Sequence, residues 1–153
     1  MEPLAHTIRM PVRFLESDLL RMVWHGNYVR WIEDARQALG ICIGLGYEDF
    51  MRERFACPIV DMHLSYKRPA RYGDKLDITA RLHWMEVPKL VHSYEVRRAA
   101  DAELLTTAET TQVLLHPDQQ LALNFPPFLE DFRRRWKLGQ VKAAVGTEPT
   151  PWP

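Results

Sequence analysis

The stretch SDLLRMVWHGNYVRWIEDAR, Ser17–Arg36, brings an acid, a histidine and the start of a helix close together in the chain. Asp18 precedes His25 by seven residues, and an apolar pattern at helical spacing begins directly after the histidine. The first N–H groups of a helix have no partner within the helix and carry a partial positive charge, so they attract negative groups. If the negative group is a reaction intermediate, this segment forms an active site.

The residues after the histidine predict an amphipathic helix from about Asn27 to Leu39, because apolar side chains recur there at helical spacing. These apolar positions are Tyr28, Trp31, Ile32, Ala35 and Leu39. Gly40 follows where a helix stop is expected. A short second helix is expected after Gly46, within LGYEDFMRERF, and the Cys57-Pro58 turn would end it.

Alternating apolar and polar residues predict strands on both sides of the long helix. Before it, TIRMPVRFLE at 7–16 places Ile8, Met10, Val12 and Phe14 on one face. After Pro58, four runs have the same period: IVDMHLSYKR, DKLDITARLHW, KLVHSYEVRR and ELLTTAETTQVLLH. Segments with proline, glycine or charged residues separate them as turns. The order of one strand, one helix and four strands predicts an antiparallel sheet with one face packed around the helix.

The chain of 153 residues is about the size of one domain. After Pro126 and Pro127, FLEDFRRRWK favours another helix. The last stretch, GQVKAAVGTEPTPWP, lacks periodicity and is rich in proline. We therefore expect a single domain over 1–138 and a flexible tail over 139–153.

The composition argues against several classes of partner. Twenty basic and 20 acidic side chains give a formal net charge of zero, so neither nucleic acid nor an anionic membrane is expected. No run of residues has the length and apolarity of a membrane span. Cys42 and Cys57 lack metal-type spacing, the histidines show no HxxxH pattern, and the N-terminus does not resemble a signal peptide. A reduced, cytoplasmic setting without a bound metal is expected.

Four segments together resemble the hotdog-fold acyl-CoA thioesterases of the 4-hydroxybenzoyl-CoA thioesterase type, and the similarity runs in consistent order from Ile8 to Leu115. The segments are SDLLRMVWHGNYVRWIEDARQ, GLGYEDFMRE, PIVDMHLSYKRPARYGDKLDI and SYEVRRAADAELLTTAET. The resemblance implies an α+β hotdog fold, in which an antiparallel β-sheet wraps around one long central helix. It also implies thioester hydrolysis without a cofactor, by homodimers that commonly pair into homotetramers.

The resemblance assigns catalytic roles near the helix start. It implies that Asp18 acts as nucleophile or as the base for a water, and that the backbone N–H of His25 receives the thioester oxygen. A fixed N–H at a helix N-terminus stabilises the charge that this oxygen gains in the tetrahedral state. The His25 side chain either orients Asp18 or water, or only bonds the backbone. Asn27 either caps the helix or takes part in catalysis.

One position departs from the family pattern, because the glycine three residues after the acid is Arg21 here. If that position needs a positive φ, an arginine would strain or reshape the loop. Arg21 thus keeps open an acyl-CoA-binding protein without catalysis as an alternative. Two further alternatives, an acyl carrier protein thioesterase and an enoyl-CoA hydratase, stay open because the same fold supports these reactions. The resemblance also implies an alternative catalytic carboxylate, Glu33, because related hotdog enzymes of another branch place theirs at about this position of the central helix; Glu33 could instead simply pair with Arg36 on the helix surface.

The expected substrate is an acyl-CoA with a small aromatic or medium-chain acyl group. Trp24, Tyr28 and Trp31 are candidates for the wall of the acyl pocket, or else core residues. Coenzyme A carries a diphosphate and a further phosphate, which need clustered basic side chains. The candidates are Lys67, Arg68 and Arg71, and for each of them a solvated surface position is the alternative.

Overall fold

A computed structural model of the chain describes residues 1–141 and the backbone of 150–151. The elements are β1 Leu4–Pro11, a 3₁₀ turn Phe14–Glu16, α1 Gly26–Ile43, α2 Tyr47–Arg52, β2 Ile59–Tyr66, β3 Lys75–Leu82, β4 Lys89–Arg98, β5 Leu104–Val113, α3 Pro127–Lys137 and β6 Thr150–Pro151. The sheet order is β2-β5-β4-β3-β1-β6, and β1 to β5 pair antiparallel. An antiparallel sheet with one long helix confirms the predicted hotdog architecture.

The long helix α1 packs against one face of the sheet, where it contacts β1 and β3. Its buried side chains include Trp31 and Leu39, and Ile8 and Ile78 are fully buried on those two strands. Each large apolar side chain buried in this way contributes about 1.5–3 kcal/mol relative to an exposed one. The period-3.6 pattern of the sequence therefore identifies the core face of α1 correctly.

The end of α1 differs from the prediction. The helix continues through Gly40 to Ile43 and ends at Gly44, which has φ 78°. A Cβ on Gly40 would lie 2.8 Å from the backbone oxygen of Leu45, whose own N–H donates to the Gly40 oxygen at 2.9 Å. Gly40 is therefore the site of a close backbone approach rather than the helix stop, and Gly44 supplies the left-handed end.

The first strand is shifted toward the N-terminus relative to the prediction. It runs from Leu4 to Pro11, and the chain then leaves the sheet and forms the 3₁₀ turn. Phe14 was expected on the buried face with Ile8 and Met10, and instead it is 72% exposed. Pro11 ends the strand because it lacks an N–H for the ladder.

Strand β2 lies at an edge of the sheet, where it pairs only with β5 among the described residues. The alternation of Val60, Met62, Leu64 and Tyr66 predicts one buried face, but Val60 is 59% and Tyr66 49% exposed. An unpaired edge strand with apolar side chains leaves backbone groups available for pairing with another chain.

The C-terminal helix α3 confirms the prediction for FLEDFRRRWK, and it buries Leu129, Phe132 and Trp136. The predicted flexible tail, 139–153, lies mostly outside the described residues. Its described backbone at Thr150–Pro151 pairs parallel to β1 at Ile8 and Arg9. Within the described residues, no helix combines the length and apolarity needed to cross a membrane.

Candidate active site

Asp18 lies at the base of a tight loop that its own carboxylate stabilises. Oδ1 of Asp18 accepts hydrogen bonds from the N–H groups of Leu20, at 2.8 Å, and Met22, at 3.3 Å. The Asp18 N–H donates to the Met22 oxygen at 2.7 Å. These bonds fix the direction of the carboxylate, which stays exposed to solvent.

Arg21 occupies the left-handed region of this loop with φ 60°. Its N–H donates to the Asp18 oxygen at 3.0 Å, so the turn closes normally. A residue with a Cβ pays about 1–2 kcal/mol for this conformation, which glycine adopts without cost. The arginine therefore keeps the positive φ that a glycine would supply, and strain is the consequence of the departure from the family pattern.

Backbone pairing joins this loop to the connection between β2 and β3. Val23 donates its N–H to the Ala70 oxygen at 3.0 Å, and Met22 forms an isolated antiparallel bridge with Arg71. A second bridge joins Ser17 to Val23. Backbone hydrogen bonds and bridges therefore fix both ends of the loop that carries Asp18.

Glu16 ties the same loop to α1 through a buried carboxylate. Its Oε1 accepts from Trp31 Nε1 at 3.3 Å and from Arg30, and its Oε2 accepts from the Arg13 N–H at 2.7 Å. Glu16 is only 5% exposed. Reasoning from the sequence missed this residue, although an acid that continues the even-numbered apolar series of 8–14 is a signal for a buried, paired carboxylate.

The helix begins at His25, which is the N-cap and makes no capping bond with its side chain. Of the two alternatives for Asn27, the structure excludes the helix cap, because Asn27 lies in the first turn and its Nδ2 donates to the Glu16 backbone oxygen at 3.0 Å. Within the described residues, the His25 N–H donates to no acceptor. This N–H, at the positive end of α1, is available for a developing oxyanion.

A cavity of about 260 Å³ opens beside the helix start, and we call it the helix-start cavity. Its walls are Met22, Val23, His25, Tyr28, Tyr66, Lys67, Arg68 and Pro69. Asp18 does not line it, but the Asp18 carboxylate bonds the N–H of the wall residue Met22. The structure thus brings four sequence candidates together at one cavity: His25, Tyr28, Lys67 and Arg68.

Tyr66 is a wall residue that reasoning from the sequence missed. Its hydroxyl donates to the His25 oxygen at 3.1 Å, and its ring stacks edge-on against Tyr28 at 5.2 Å. The Tyr28 hydroxyl accepts from the Ala70 N–H at 2.9 Å, and burial raises the pKa of Tyr28. The two tyrosines thus connect the helix start to the end of β2, and the position of Tyr66 directly before the basic candidates Lys67 and Arg68 was the available signal.

Three of the substrate candidates lie elsewhere. Trp31 is 1% exposed and lines no wall of the helix-start cavity, so it is a core residue. Arg71 is exposed, and its backbone N–H donates a hydrogen bond to Asp74 Oδ2 at 2.9 Å. Trp24 is 55% exposed and covers Gly26, where a Cβ would lie 2.2 Å from its ring.

The Glu33 carboxylate accepts hydrogen bonds from Arg36, on the same helix, and from the Tyr47 hydroxyl on α2. The helix-surface pair expected for Glu33 and Arg36 is therefore present. Among the residues that the structure describes, no three His, Cys, Asp or Glu side chains are grouped as metal ligands would be.

Comparisons with known proteins agree with the predicted family. The model of the thioesterase-like superfamily matches residues 12–141. The acyl-CoA thioester hydrolase YbgC of Escherichia coli is 31% identical over 111 residues, which cover 71% of this chain and 82% of that protein.

Solved structures show the same fold. The DHNA-CoA thioesterase of Staphylococcus aureus superposes with a TM-score of 0.76 at 24% identity, over 88% of this chain and 93% of that one. A 4-hydroxybenzoyl-CoA thioesterase variant in complex with 4-hydroxybenzoyl-CoA superposes with a TM-score of 0.72 at 23% identity, over 84% and 97% of the two chains. The chain therefore belongs to the thioesterase-like superfamily and is a thioester hydrolase of the hotdog fold.

Proposed function

We propose that the protein hydrolyses an acyl-CoA with a small aromatic or medium-chain acyl group to the free acid and CoA. The observation that carries this proposal is the position of the hydrogen-bonded Asp18 loop beside the start of α1, where the His25 N–H has no acceptor among the described residues. The names of the relatives, which describe acyl-CoA and aromatic acyl-CoA thioesterases, support the same substrate class.

In the proposed reaction, the thioester oxygen accepts a hydrogen bond from the His25 N–H. Asp18 either attacks the carbonyl carbon and forms a mixed anhydride that water then hydrolyses, or removes a proton from the water that attacks. The C–S bond breaks and CoA leaves as a thiolate, which needs little protonation because a thiol pKa is about 8.5. The oxyanion contact contributes on the order of 3 kcal/mol to transition-state stabilisation.

The rim of the helix-start cavity supplies the proposed contacts to CoA. Lys67 and Arg68 both line it. Arg68 Nε lies 3.6 Å from Glu103 Oε1, and both side chains are exposed. This ion pair therefore contributes little to stability and can open for a phosphate. Arg68 fits a phosphate best because its guanidinium can donate two parallel hydrogen bonds.

The proposed working form is a homodimer, and two dimers would pair in a homotetramer. The outer edge of β2, which pairs with no other strand among the described residues, supports this proposal because pairing with a second copy would cover its exposed Val60 and Tyr66. Light scattering at several protein concentrations tests it; a monomer throughout would contradict it.

Release of free thiol from a panel of acyl-CoAs, read with a disulfide reagent, tests the proposed function. The panel contains 4-hydroxybenzoyl-, phenylacetyl-, hexanoyl-, decanoyl- and palmitoyl-CoA. We expect turnover of the aromatic or medium-chain members and little turnover of palmitoyl-CoA. Three outcomes would contradict the proposal. Turnover of an acyl carrier protein thioester alone would indicate an acyl carrier protein thioesterase, and hydration of crotonyl-CoA alone would indicate an enoyl-CoA hydratase. Tight CoA binding without any thiol release would indicate an acyl-CoA-binding protein.

A further inference from the structure

The loop that carries Asp18 is a short β-hairpin with apolar side chains at its tip. Ser17 and Val23 pair across the hairpin as an isolated antiparallel bridge. The turn between them contains Leu19, which is fully exposed, and Leu20, which is largely exposed. Leucine side chains in such positions bury almost no surface within the chain, so the fold itself does not account for them.

More exposed apolar side chains lie at the base of the hairpin. Phe14 and Tyr72 contact each other edge-on, with their ring centroids 5.6 Å apart. Trp24 lies beside Glu16, because its N–H donates to the Glu16 oxygen at 2.9 Å, and Leu15 directly precedes Glu16. We call the six exposed apolar residues the hairpin patch: Phe14, Leu15, Leu19, Leu20, Trp24 and Tyr72. A single exposed apolar residue is ordinary, whereas a group of this size in one place marks an interaction surface.

Three exposed arginines flank the hairpin patch. Arg13 immediately precedes it in the chain, and Arg21 lies in the turn at the tip of the hairpin. Arg71 joins the hairpin through a backbone bridge with Met22. Most arginines of the chain pair with a carboxylate, but the guanidinium groups of Arg21 and Arg71 form no ion pair within residues 1–141. The acid in this turn, Asp18, directs its Oδ1 at backbone N–H groups of the turn itself. The hairpin patch therefore combines apolar side chains with a local excess of positive charge.

The hairpin patch lies on the other side of the sheet from the edge proposed for dimerisation. Phe14 follows β1, and Tyr72 lies just before β3. The sheet order β2-β5-β4-β3-β1 places β1 four strand spacings from β2, which is about 19 Å. A second copy that pairs with β2 would therefore add its strands at the far edge. A two-fold contact through the hairpin patch itself would bring identical arginines together, which is unfavourable.

We propose that the hairpin patch docks the protein on a lipid surface that carries anionic head groups. In this arrangement the three leucines enter the outer part of the hydrocarbon region, Trp24 and Tyr72 lie at the level of the head groups, and the arginines contact the lipid phosphates. The exposure of the side chains supports this order. The leucines are 71–103% exposed, whereas Trp24 is 55% and Tyr72 61% exposed, so the aliphatic side chains are the most accessible ones.

The local charge of the hairpin patch differs from that of the whole chain. The formal net charge of zero, from which no anionic membrane was expected, averages over the entire surface. At 0.1 M salt a charge acts over about 10 Å, so a nearby lipid surface responds to the arginines of the patch and not to the total. An acidic protein would also balance these charges, but it would need fitted pockets for side chains at a hairpin tip, whereas lipid chains adapt to them.

Flotation with lipid vesicles tests this inference without any substrate, so the result is independent of the proposed function. Vesicles of phosphatidylcholine are compared with vesicles in which phosphatidylglycerol replaces about a third of the phosphatidylcholine, at low and at high salt. The variant Leu15→Ser/Leu19→Ser removes two apolar side chains of the patch. Leu123→Ser/Leu138→Ser is the matched control, because these two leucines are also exposed but lie outside the patch.

A second pair of variants tests the charge. Arg21→Gln removes the positive charge and keeps a side chain at φ 60°. Arg54→Gln is the matched control, because Arg54 is also exposed, has φ 61° and lies outside the patch. The lipid and salt dependence of the wild-type protein tests the same point without any substitution.

We expect the wild-type protein to bind the vesicles with phosphatidylglycerol at least about tenfold more tightly than those without it, and high salt to reduce this ratio. Leu15→Ser/Leu19→Ser should weaken the binding at least about tenfold. Arg21→Gln should weaken it about fivefold, which is the contribution of one basic side chain near an anionic surface. The two control variants should bind as the wild-type protein does.

Several results would overturn the inference. They are a wild-type protein that floats with neither kind of vesicle, equal binding to both kinds, and equal losses in the variants and their controls. Light scattering identifies the alternative of a contact between copies. If the wild-type protein binds no vesicles and Leu15→Ser/Leu19→Ser changes its oligomeric state, the hairpin patch is covered by a second copy of the chain and not by lipid.

Discussion

The side-chain amide of Asn27 donates a hydrogen bond to the backbone oxygen of Glu16, at 3.0 Å. The same oxygen accepts the Trp24 N–H at 2.9 Å, so two bonds converge on the residue that lies two positions before Asp18. The first turn of α1 and the loop that carries Asp18 are therefore joined as one unit. The proposed mechanism requires a fixed relative placement of the Asp18 carboxylate and the His25 N–H.

Replacement of Asn27 by alanine removes this link. We expect kcat to fall roughly tenfold to a hundredfold, because small displacements of reacting groups are costly. We expect stability to fall by only about 1 kcal/mol, the net value of one hydrogen bond. Steady-state kinetics and urea unfolding measure the two effects, with the exposed Asn124→Ala as control. An unchanged kcat in Asn27→Ala would show that the link does not position the acid.

Replacement of Glu16 by glutamine keeps the shape of the side chain but replaces one acceptor oxygen by a donor group. The donors of Arg13, Arg30 and Trp31 then compete for one oxygen, and we expect a loss of about 1–3 kcal/mol. Asp77→Asn, which removes a partly exposed pair with Arg9, is the control and should cost less than about 1 kcal/mol. Equal losses in the two variants would refute the role given to the buried carboxylate.

Replacement of Arg21 by glycine should relieve the strain at φ 60°. We expect a gain of up to about 1 kcal/mol, because the greater freedom of glycine in the unfolded chain offsets part of the benefit. Arg54 has φ 61° and the same N–H bond to the residue three positions earlier, so Arg54→Gly is a matched control away from the site. Thermal unfolding measures both; a loss of activity in Arg21→Gly alone would mean that the arginine side chain itself takes part.

The pH dependence of stability should reflect the buried His92. Its pKa of about 3 in the folded protein lies below the unfolded value of about 6.5, so only the unfolded state gains a proton as the pH falls through that value. Stability is therefore lost on acidification, by about 2 kcal/mol between about pH 7 and pH 5. His92→Phe should remove this part of the loss. His6, whose pKa burial also lowers, contributes in the same direction in both proteins. Parallel profiles for the two proteins would contradict the assignment.

Periodicity was sufficient for most of the fold. The core face of α1, the strands β3 and β4, and the helix α3 follow directly from apolar spacing, since Leu76, Ile78, Ala80 and Leu82 are all fully buried. The end of α1 could not be predicted, because the close approach of the Leu45 oxygen to Gly40 is a tertiary contact. The exposure of Val60 and Tyr66 likewise depends on the position of β2 at an edge, which no local pattern specifies.

The site was predictable only where the motif is continuous in sequence. Asp18, His25 and the positive φ at Arg21 lie in one segment, and the structure places them in one loop and helix start. Glu16 also binds Arg30 and Trp31, 14 and 15 positions away, and Tyr66 binds His25, 41 positions away; the sequence does not specify these contacts. The cap alternative for Asn27 could not be excluded from the sequence, because the bond from its side chain to the Glu16 backbone oxygen is a contact across 11 residues.

The most direct test of the proposed mechanism compares Asp18→Asn with Asp118→Asn on the best substrate of the thiol-release panel. Asp118 makes the same contact in a remote turn, since its Oδ1 accepts the N–H two residues later, at 3.1 Å for Gln120 and 2.8 Å for Leu20 after Asp18. We predict a loss of kcat of at least about a hundredfold in Asp18→Asn, with folding and substrate binding retained, and an unchanged kcat in Asp118→Asn. Wild-type turnover by a folded Asp18→Asn protein would contradict the proposed role of Asp18 as nucleophile or general base.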